Sequence, residues 1–194
     1  MSARSGPDGR LRCPWALGSP EYLAYHDNEW GRPVQDDVGL YERLTLEAFQ
    51  SGLSWLTILR KRNNFRLAFA GFDPDVVARF NAADVDRLLS DAGIVRNRAK
   101  VAAAVTNARA VVFLRERDGI GAFSRLVWSY RPDPRVAPTS LADIPASTPE
   151  SVALAKELKR HGFVFVGPTT AYATMQAAGL VDDHLADCFA RRTR

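Results

Sequence analysis

The chain has 194 residues, of which 46% are hydrophobic and 25% charged, enough apolar surface for a globular core and too much for a disordered chain. Its formal net charge is +4 with a sequence pI near 9.3, a balance that fits a polyanionic partner without requiring one. No apolar run reaches the length of a membrane span, and the first residues lack a signal-peptide core, so a cytoplasmic protein without a membrane role is expected.

Residues 1–12 are polar and rich in Gly and Pro, and are expected to form a disordered lead-in. Residues 13–190 are expected to form one helical domain, with room for two packed lobes, and residues 191–194 a basic tail. Trp15, Tyr22, Tyr25 and Trp30 crowd the start of that domain. Such rings are stacking platforms for a nucleobase, and more usually core.

Gly39 to Gln50 predicts a helix, with Tyr41, Leu44 and Ala48 at helical spacing. Gly52 suits the position that ends it, and Ser54 suits the N-cap of a helix over 55–62. Leu53 is left in a tight corner that holds an apolar side chain outward. By periodicity Glu47 is a surface carboxylate, paired with Arg43 one turn back.

Asp73-Pro74 opens a short helix, and Asn81 caps another whose apolar stripe is Val85, Leu88 and Leu89. Gly93 breaks the chain. A longer helix is predicted from Arg96, with Val101, Val105, Ala108 and Val112 inward. The pattern helix–Gly93–helix resembles a helix-hairpin-helix, which holds DNA phosphates on backbone N–H groups, with Arg96, Arg98 and Lys100 adding sequence-independent attraction. An ordinary helical corner with a solvated basic face has the same pattern.

Prolines at 132, 134, 138, 145 and 149 forbid helix across the next stretch. Ser147 or Thr148 then caps a helix, Ser147 pairing with Glu150 in a capping box, with Val152, Ala155 and Leu158 inward. Gly162 ends it, Phe163 to Val166 reads as a short extended run, and a last helical pattern spans about 170–178. The fold class is therefore mainly α, with almost no sheet.

The only cysteines are Cys13 and Cys188, near opposite ends. His184 and Cys188 stand four apart, a spacing that places both on one face of a helix capped by Asp182 or Asp183. With Cys13 and His26 they make a Cys₂His₂ set suited to tetrahedral zinc, although the first pair lacks finger-like spacing and inert thiols satisfy the same composition. His161, at a helix end, is expected to be structural or solvated.

Taken in order, Cys13-Pro14-Trp15, Tyr25-His26-Asp27-Asn28-Glu29-Trp30-Gly31, Leu46-Glu47, Gly52-Leu53-Ser54-Trp55, the run Asp91 to Lys100, Gly162 to Gly167 and the run Met175 to His184, with Cys188, closely resemble the type I 3-methyladenine DNA glycosylases. These form a zinc-containing branch of the helix-hairpin-helix glycosylase superfamily. The resemblance covers Cys13 to Cys188. It implies one structural zinc on Cys13, His26, His184 and Cys188, joining the two chain ends. It implies a base pocket of Trp15, Tyr22, Tyr25, Glu47 and Trp55, with Tyr25 and Glu47 acting on the base, and Leu53 plugging the DNA stack. Gly93, Ile94, Arg96, Arg98 and Lys100 would grip the backbone of double-stranded DNA containing alkylated adenine. The implied enzyme is a monomeric, monofunctional glycosylase of base-excision repair, because no lysine is placed as a Schiff-base nucleophile. A zinc-stabilised DNA-binding module without catalysis is the alternative. A zinc hydrolase of small molecules is a further one, and would need an open metal site.

Overall fold

A computed structural model describes residues 2–191. The lead-in expectation is corrected at once: Arg4–Ser5 (β1) pairs antiparallel with Leu11–Arg12 (β2), Arg4 opposite Arg12. The cause is Arg12, a buried guanidinium that bonds Asp8 and, at 2.9 Å, Asp27, and lies 4.7 Å over the Phe189 ring. Charge-assisted pairing of this kind offsets its desolvation. The Phe189 N–H also donates to the Leu11 carbonyl, so the first strand pair rests on the last described turn. Of the expected basic tail, Arg191 donates to the His184 carbonyl at 2.9 Å, and residues 192–194 lie outside the described residues.

A 3-10 turn over Pro14–Gly18 leads into α1 (Pro20–Asn28), capped by Ser19. Helix α2 (Asp37–Gln50) is capped by Asp36 and buries Leu40, Tyr41, Leu44 and Phe49; the Tyr41 hydroxyl donates to the Ala104 carbonyl at 2.9 Å. Gly52, at φ 79°, reverses the chain, and Ser54 accepts from the Thr57 N–H to start α3 (Trp55–Ala68). That helix outruns its predicted end at Arg62, because Phe65 and Ala68 still reach the core.

The one-turn α4 (Pro74–Val77) and α5 (Ala82–Ser90) begin at Asp73 and Asn81 as predicted, the latter with a full capping box to Asp84. Helix α6 (Arg98–Asp118) begins at Asn97, not Arg96, because the Asn97 side chain accepts from the Lys100 N–H. It runs through the middle of the molecule: beside Val101, Val105 and Ala108 it buries Ala104, Asn107, Val111 and Leu114, while Val112 is only partly covered. After α7 (Ala122–Trp128), the proline-rich connection contains a 3-10 turn over Leu141–Asp143 capped by Ser140.

Helix α8 (Pro149–Arg160) starts at Thr148, whose capping box is closed by Ser151 and not by the expected Ser147–Glu150 pair. The resulting register buries Leu154, Ala155 and Leu158 and leaves Val152 exposed. The next run alternates instead of being buried throughout: Phe163 and Val166 point inward, Val164 and Phe165 outward. Helix α9 (Pro168–Ala177) packs on α2 and α8.

The helix expected around His184 and Cys188 is absent. Gly179, at φ 73°, stops α9, and the following N–H groups bond away from helical register. That of His184 meets Asp182 Oδ1, that of Leu185 the Cys13 sulfur, and that of Ala186 the Pro138 carbonyl. Such outside partners satisfy the backbone as well as a helix would. None of the helices among the described residues is long and apolar enough to cross a membrane.

Candidate base pocket and metal centre

The aromatic residues of the first thirty positions converge with α2 and α3. Trp15 stands on its 3-10 turn, Tyr22 and Tyr25 one turn apart on α1, Glu47 near the end of α2, and Trp55 at the first position of α3. The Trp15 and Tyr22 rings meet edge to face at 5.7 Å, and Tyr25 and Trp55 lie 5.4 Å apart. The Tyr22 hydroxyl accepts the Leu56 N–H at 3.0 Å, which fixes α1 against the start of α3. Arg62 approaches the Tyr25 ring at 6.0 Å while forming a two-point ion pair with Glu29.

Glu47 overturns the surface reading. It is 7% exposed, with no ion-pair partner among the described residues, and the nearby Arg43 donates to its own helix at Gly39. Periodicity missed this because partner elements cover Glu47 alone: on the same polar stripe Arg43 and Gln50 stay half-buried and Ser51 and Ser54 exposed. Burial alone pushes the Glu47 carboxyl up to about 8. Burial, and then the neighbouring Glu47, raise the Tyr25 phenol well above its ordinary range and keep it a neutral donor. Trp55 Nε1 is a buried N–H without a protein partner. Rings, a desolvated carboxyl group and an unsatisfied indole N–H suit a flat, polar-edged, cationic ligand.

Behind the pocket, Cys13, His26 and Cys188 bring ligand atoms within 4.8 Å of one another, all buried. The Cys188 sulfur is 3.4 Å from His26 Nε2. Asp27 holds His26 Nδ1 at 2.8 Å, and Asp182 holds His184 Nδ1 at 2.7 Å. Each carboxylate fixes the tautomer that leaves Nε2 with a free lone pair. His184 Nε2 is buried and unpartnered, with its ring 4.9 Å from that of His26. Trp30, unassigned by the sequence reading, packs 4.6 Å from His184 and 5.1 Å from Trp15, a wall shared by pocket and cluster. Asp27 and Asp182 were also missed; their one signal is proximity in sequence to the two histidines.

A turn through Gly93 joins α5 to α6. Asp91 accepts the Gly93 N–H at 2.7 Å, and Lys61 and Asn64 of α3 donate to the Ala92 and Gly93 carbonyls. Ile94 is core, and Arg96 and Arg98 are exposed. Lys100 departs from the expected phosphate contact: it is 7% exposed, and its ammonium donates to the Phe49 and Ser51 carbonyls. His161, as expected, is a local partner, 3.1 Å from Glu157.

The methyladenine glycosylase family model matches residues 15–191. DNA-3-methyladenine glycosylase 1 of Escherichia coli (strain K12) is 49% identical over 179 residues, 91% of this chain and 95% of that protein. The DNA-3-methyladenine glycosylase of Haemophilus influenzae is 46% identical over 180 residues, 91% of this chain and 96% of its own. Among solved structures, a 3-methyladenine DNA glycosylase I superposes with a TM-score of 0.88 at 48% identity, covering 93% of this chain and all of that one. A Staphylococcus aureus 3-methyladenine DNA glycosylase I, solved to explain its recognition of 3-methyladenine, gives 0.88 at 37% identity over 94% of this chain and 97% of that one. With its ring-lined carboxylate, its Cys–His cluster and this likeness over nearly its whole length, the chain belongs to the methyladenine glycosylase family.

Proposed function

We propose that this chain removes 3-methyladenine from alkylated double-stranded DNA by hydrolysing its N-glycosidic bond. The observation that carries the reading is Glu47, a carboxyl group buried beside aromatic rings with no ion-pair partner among the described residues, so that burial keeps its proton on in the free protein. A nucleoside methylated at N3 of adenine is cationic and supplies the charge that draws Glu47 into its ionised form. Trp15 and Tyr22 favour the same charge through their faces, and Tyr25 and Glu47 bond the base edge.

The nucleotide leaves the duplex, at a cost lowest for a damaged base, and the half-exposed Leu53 fills the gap. The C1′–N9 bond then breaks with its electron pair on the base, which departs as neutral 3-methyladenine. A leaving group of this kind needs little protonation. Water bonds to C1′ of the oxocarbenium-like sugar and releases its proton to solvent. The hairpin at Gly93, with Ile94, Arg96 and Arg98, supports a sequence-independent grip on phosphate. Lys100 acts through the corner it holds. Lys100 is tied to two carbonyls and the implied pocket residues include no lysine, which supports a monofunctional enzyme.

Cys13, His26, His184 and Cys188 fit one zinc: two thiols and an imidazole that converge, and a second imidazole, its Nε2 buried and unpartnered, whose ring lies 4.9 Å from that of His26. When bound, the metal supplies folding energy and no open coordination site, which disfavours a hydrolytic metal centre. A monomer working in the cytoplasm is the setting this reading implies. Incubation with methylated duplex DNA and measurement of free 3-methyladenine tests it: release at a rate above spontaneous loss is expected. DNA binding without release would favour the non-catalytic module.

A further inference from the structure

The segment between α8 and α9 has no role in the pocket or the metal cluster, yet it is held firmly. Phe163 is buried and stacks on Phe123 at 5.1 Å, and Val166 is buried three residues on. Between them, the buried Asn107 of α6 clamps Val164 from both sides, accepting its N–H at 2.8 Å and donating to its carbonyl at 3.1 Å. The outcome falls on Phe165. It sits at φ 60°, a left-handed conformation that bulky residues rarely adopt, and the residue is 43% exposed. An aromatic ring held outward against both backbone preference and the hydrophobic effect is the kind of local strain that clusters at ligand-contacting sites.

Its position narrows the ligand. Phe165, Val166, Gly167 and Thr170 line one open hollow of about 370 Å³ with Ser51 and the exposed cation Lys159. Ser51 is two residues before Leu53, in the corner that ends α2. The hollow therefore joins the corner that presents one exposed apolar side chain to the segment that presents another, with a cation at its margin. Proteins that separate stacked base steps insert phenylalanine and leucine side chains in this way, with cations meeting the phosphates.

We propose that Phe165 is a second DNA-contacting wedge, its ring seated against the bases that flank the extruded nucleotide while Leu53 fills the vacancy. The inference rests on the glycosylase reading for the identity of the polymer, but its geometry is independent of Glu47 and the pocket. Asn107 is the residue that positions the wedge, by fixing the Val164 backbone. Lys159 neutralises phosphate beside it.

The test compares Phe165→Asn, which tolerates the left-handed backbone without supplying a large ring, with Phe165→Ala and Phe165→Trp. Three quantities are read: kcat/KM on methylated duplex, affinity for free 3-methyladenine, and fluorescence of 2-aminopurine placed next to an abasic-site analogue in duplex DNA. Phe165→Asn and Phe165→Ala are expected to lose about tenfold or more in kcat/KM, the size of one lost stacking contact, and to alter the 2-aminopurine signal. Free-base affinity stays unchanged, and Phe165→Trp keeps most of the activity. Wild-type excision and 2-aminopurine response in Phe165→Asn would overturn the proposal. The 2-aminopurine arm needs no excision, so an inactive wild-type protein would count against the glycosylase reading alone.

Discussion

The Lys100 ammonium of α6 lies 2.5 Å from the Ser51 carbonyl oxygen and 2.9 Å from that of Phe49. It thereby caps the C-terminal end of α2 with a buried cation, where the helix dipole favours one. Because α6 begins just after the Gly93 turn, that turn and the corner that presents Leu53 are joined by one side chain. Replacing Lys100 by Met leaves two carbonyls without that donor. The expected loss is about 1–3 kcal/mol of stability, or roughly 2–10 °C in Tm for a chain of this size. Excision from duplex DNA should fall further than affinity for free 3-methyladenine, because the corner and not the pocket is disturbed. Thermal melts and the two assays together check this; equal loss in both would place Lys100 in general stability alone.

Glu47 gives a pH signature. Burial lifts its carboxyl to about 8 in the free protein, against an ordinary value of 4.5. Between those values the folded state holds a proton that the unfolded state has released, so stability falls as pH rises through the window. Glu47→Gln removes the titration. Its Tm should match wild type near pH 5 and exceed it increasingly toward pH 8, at about 2–4 °C for each kcal/mol relieved. The same variant should lose excision, since a neutral amide gives up the attraction for a cationic base. A Tm difference that is flat across the range would show that Glu47 is not desolvated.

The helices were readable because their ends are chemical. Asn81, Ser54, Asp73 and Gly52 each do at their positions what their side chains dictate in isolation. Phe65 extended α3 for a reason invisible to local pattern, its burial against Phe49 and Phe69 from separate turns. Glu47 and Lys100 were misread in the same way: as charged residues on helices they look solvated, and only the partner elements turn their faces inward. The chain near His184 failed differently. Its spacing from Cys188 suits a helix, but bonds to Cys13, Asp182 and Pro138 hold its backbone in turns. For Cys13, His26 and Cys188, which do converge, it was the order of motifs along the chain, and not the spacing, that carried the information.

Gly179 meets the backbone that leaves α1 at close range. A Cβ there would stand 2.7 Å from both the Gly31 carbonyl oxygen and the Arg32 carbonyl carbon, and the backbone is at φ 73°. The Gly31 N–H donates to the Gln176 carbonyl at 3.1 Å across the same contact. Gly179→Ala must therefore push the exit of α1 away from the end of α9, separating Trp30 from His184. A cost of about 1–3 kcal/mol from backbone strain alone is expected, with more from the clash. Denaturant melts measure it. A neutral effect would mean that the Gly31 loop yields without consequence.

The four-ligand reading of the metal cluster makes unequal demands on its members, and His184 is the sharpest of them. Cys13, His26 and Cys188 already converge, whereas His184 enters the argument through its unpartnered Nε2, its carboxylate-bound Nδ1 and its ring beside His26. Metal analysis of the purified protein is expected to find about one zinc per chain, as four protein ligands to a tetrahedral ion require. Cys188→Ser should abolish it. His184→Ala should weaken it, so that zinc is stripped by a chelator concentration that leaves wild type loaded, and the stripped protein should melt at lower temperature. Asp182→Asn should produce a smaller shift in the same direction, about 10–100-fold in affinity, because it frees the His184 ring without removing a ligand. Full zinc retention in His184→Ala under chelator would reduce the site to three protein ligands. The fourth position would then be open to water, and the small-molecule hydrolase reading would regain the feature it lacks.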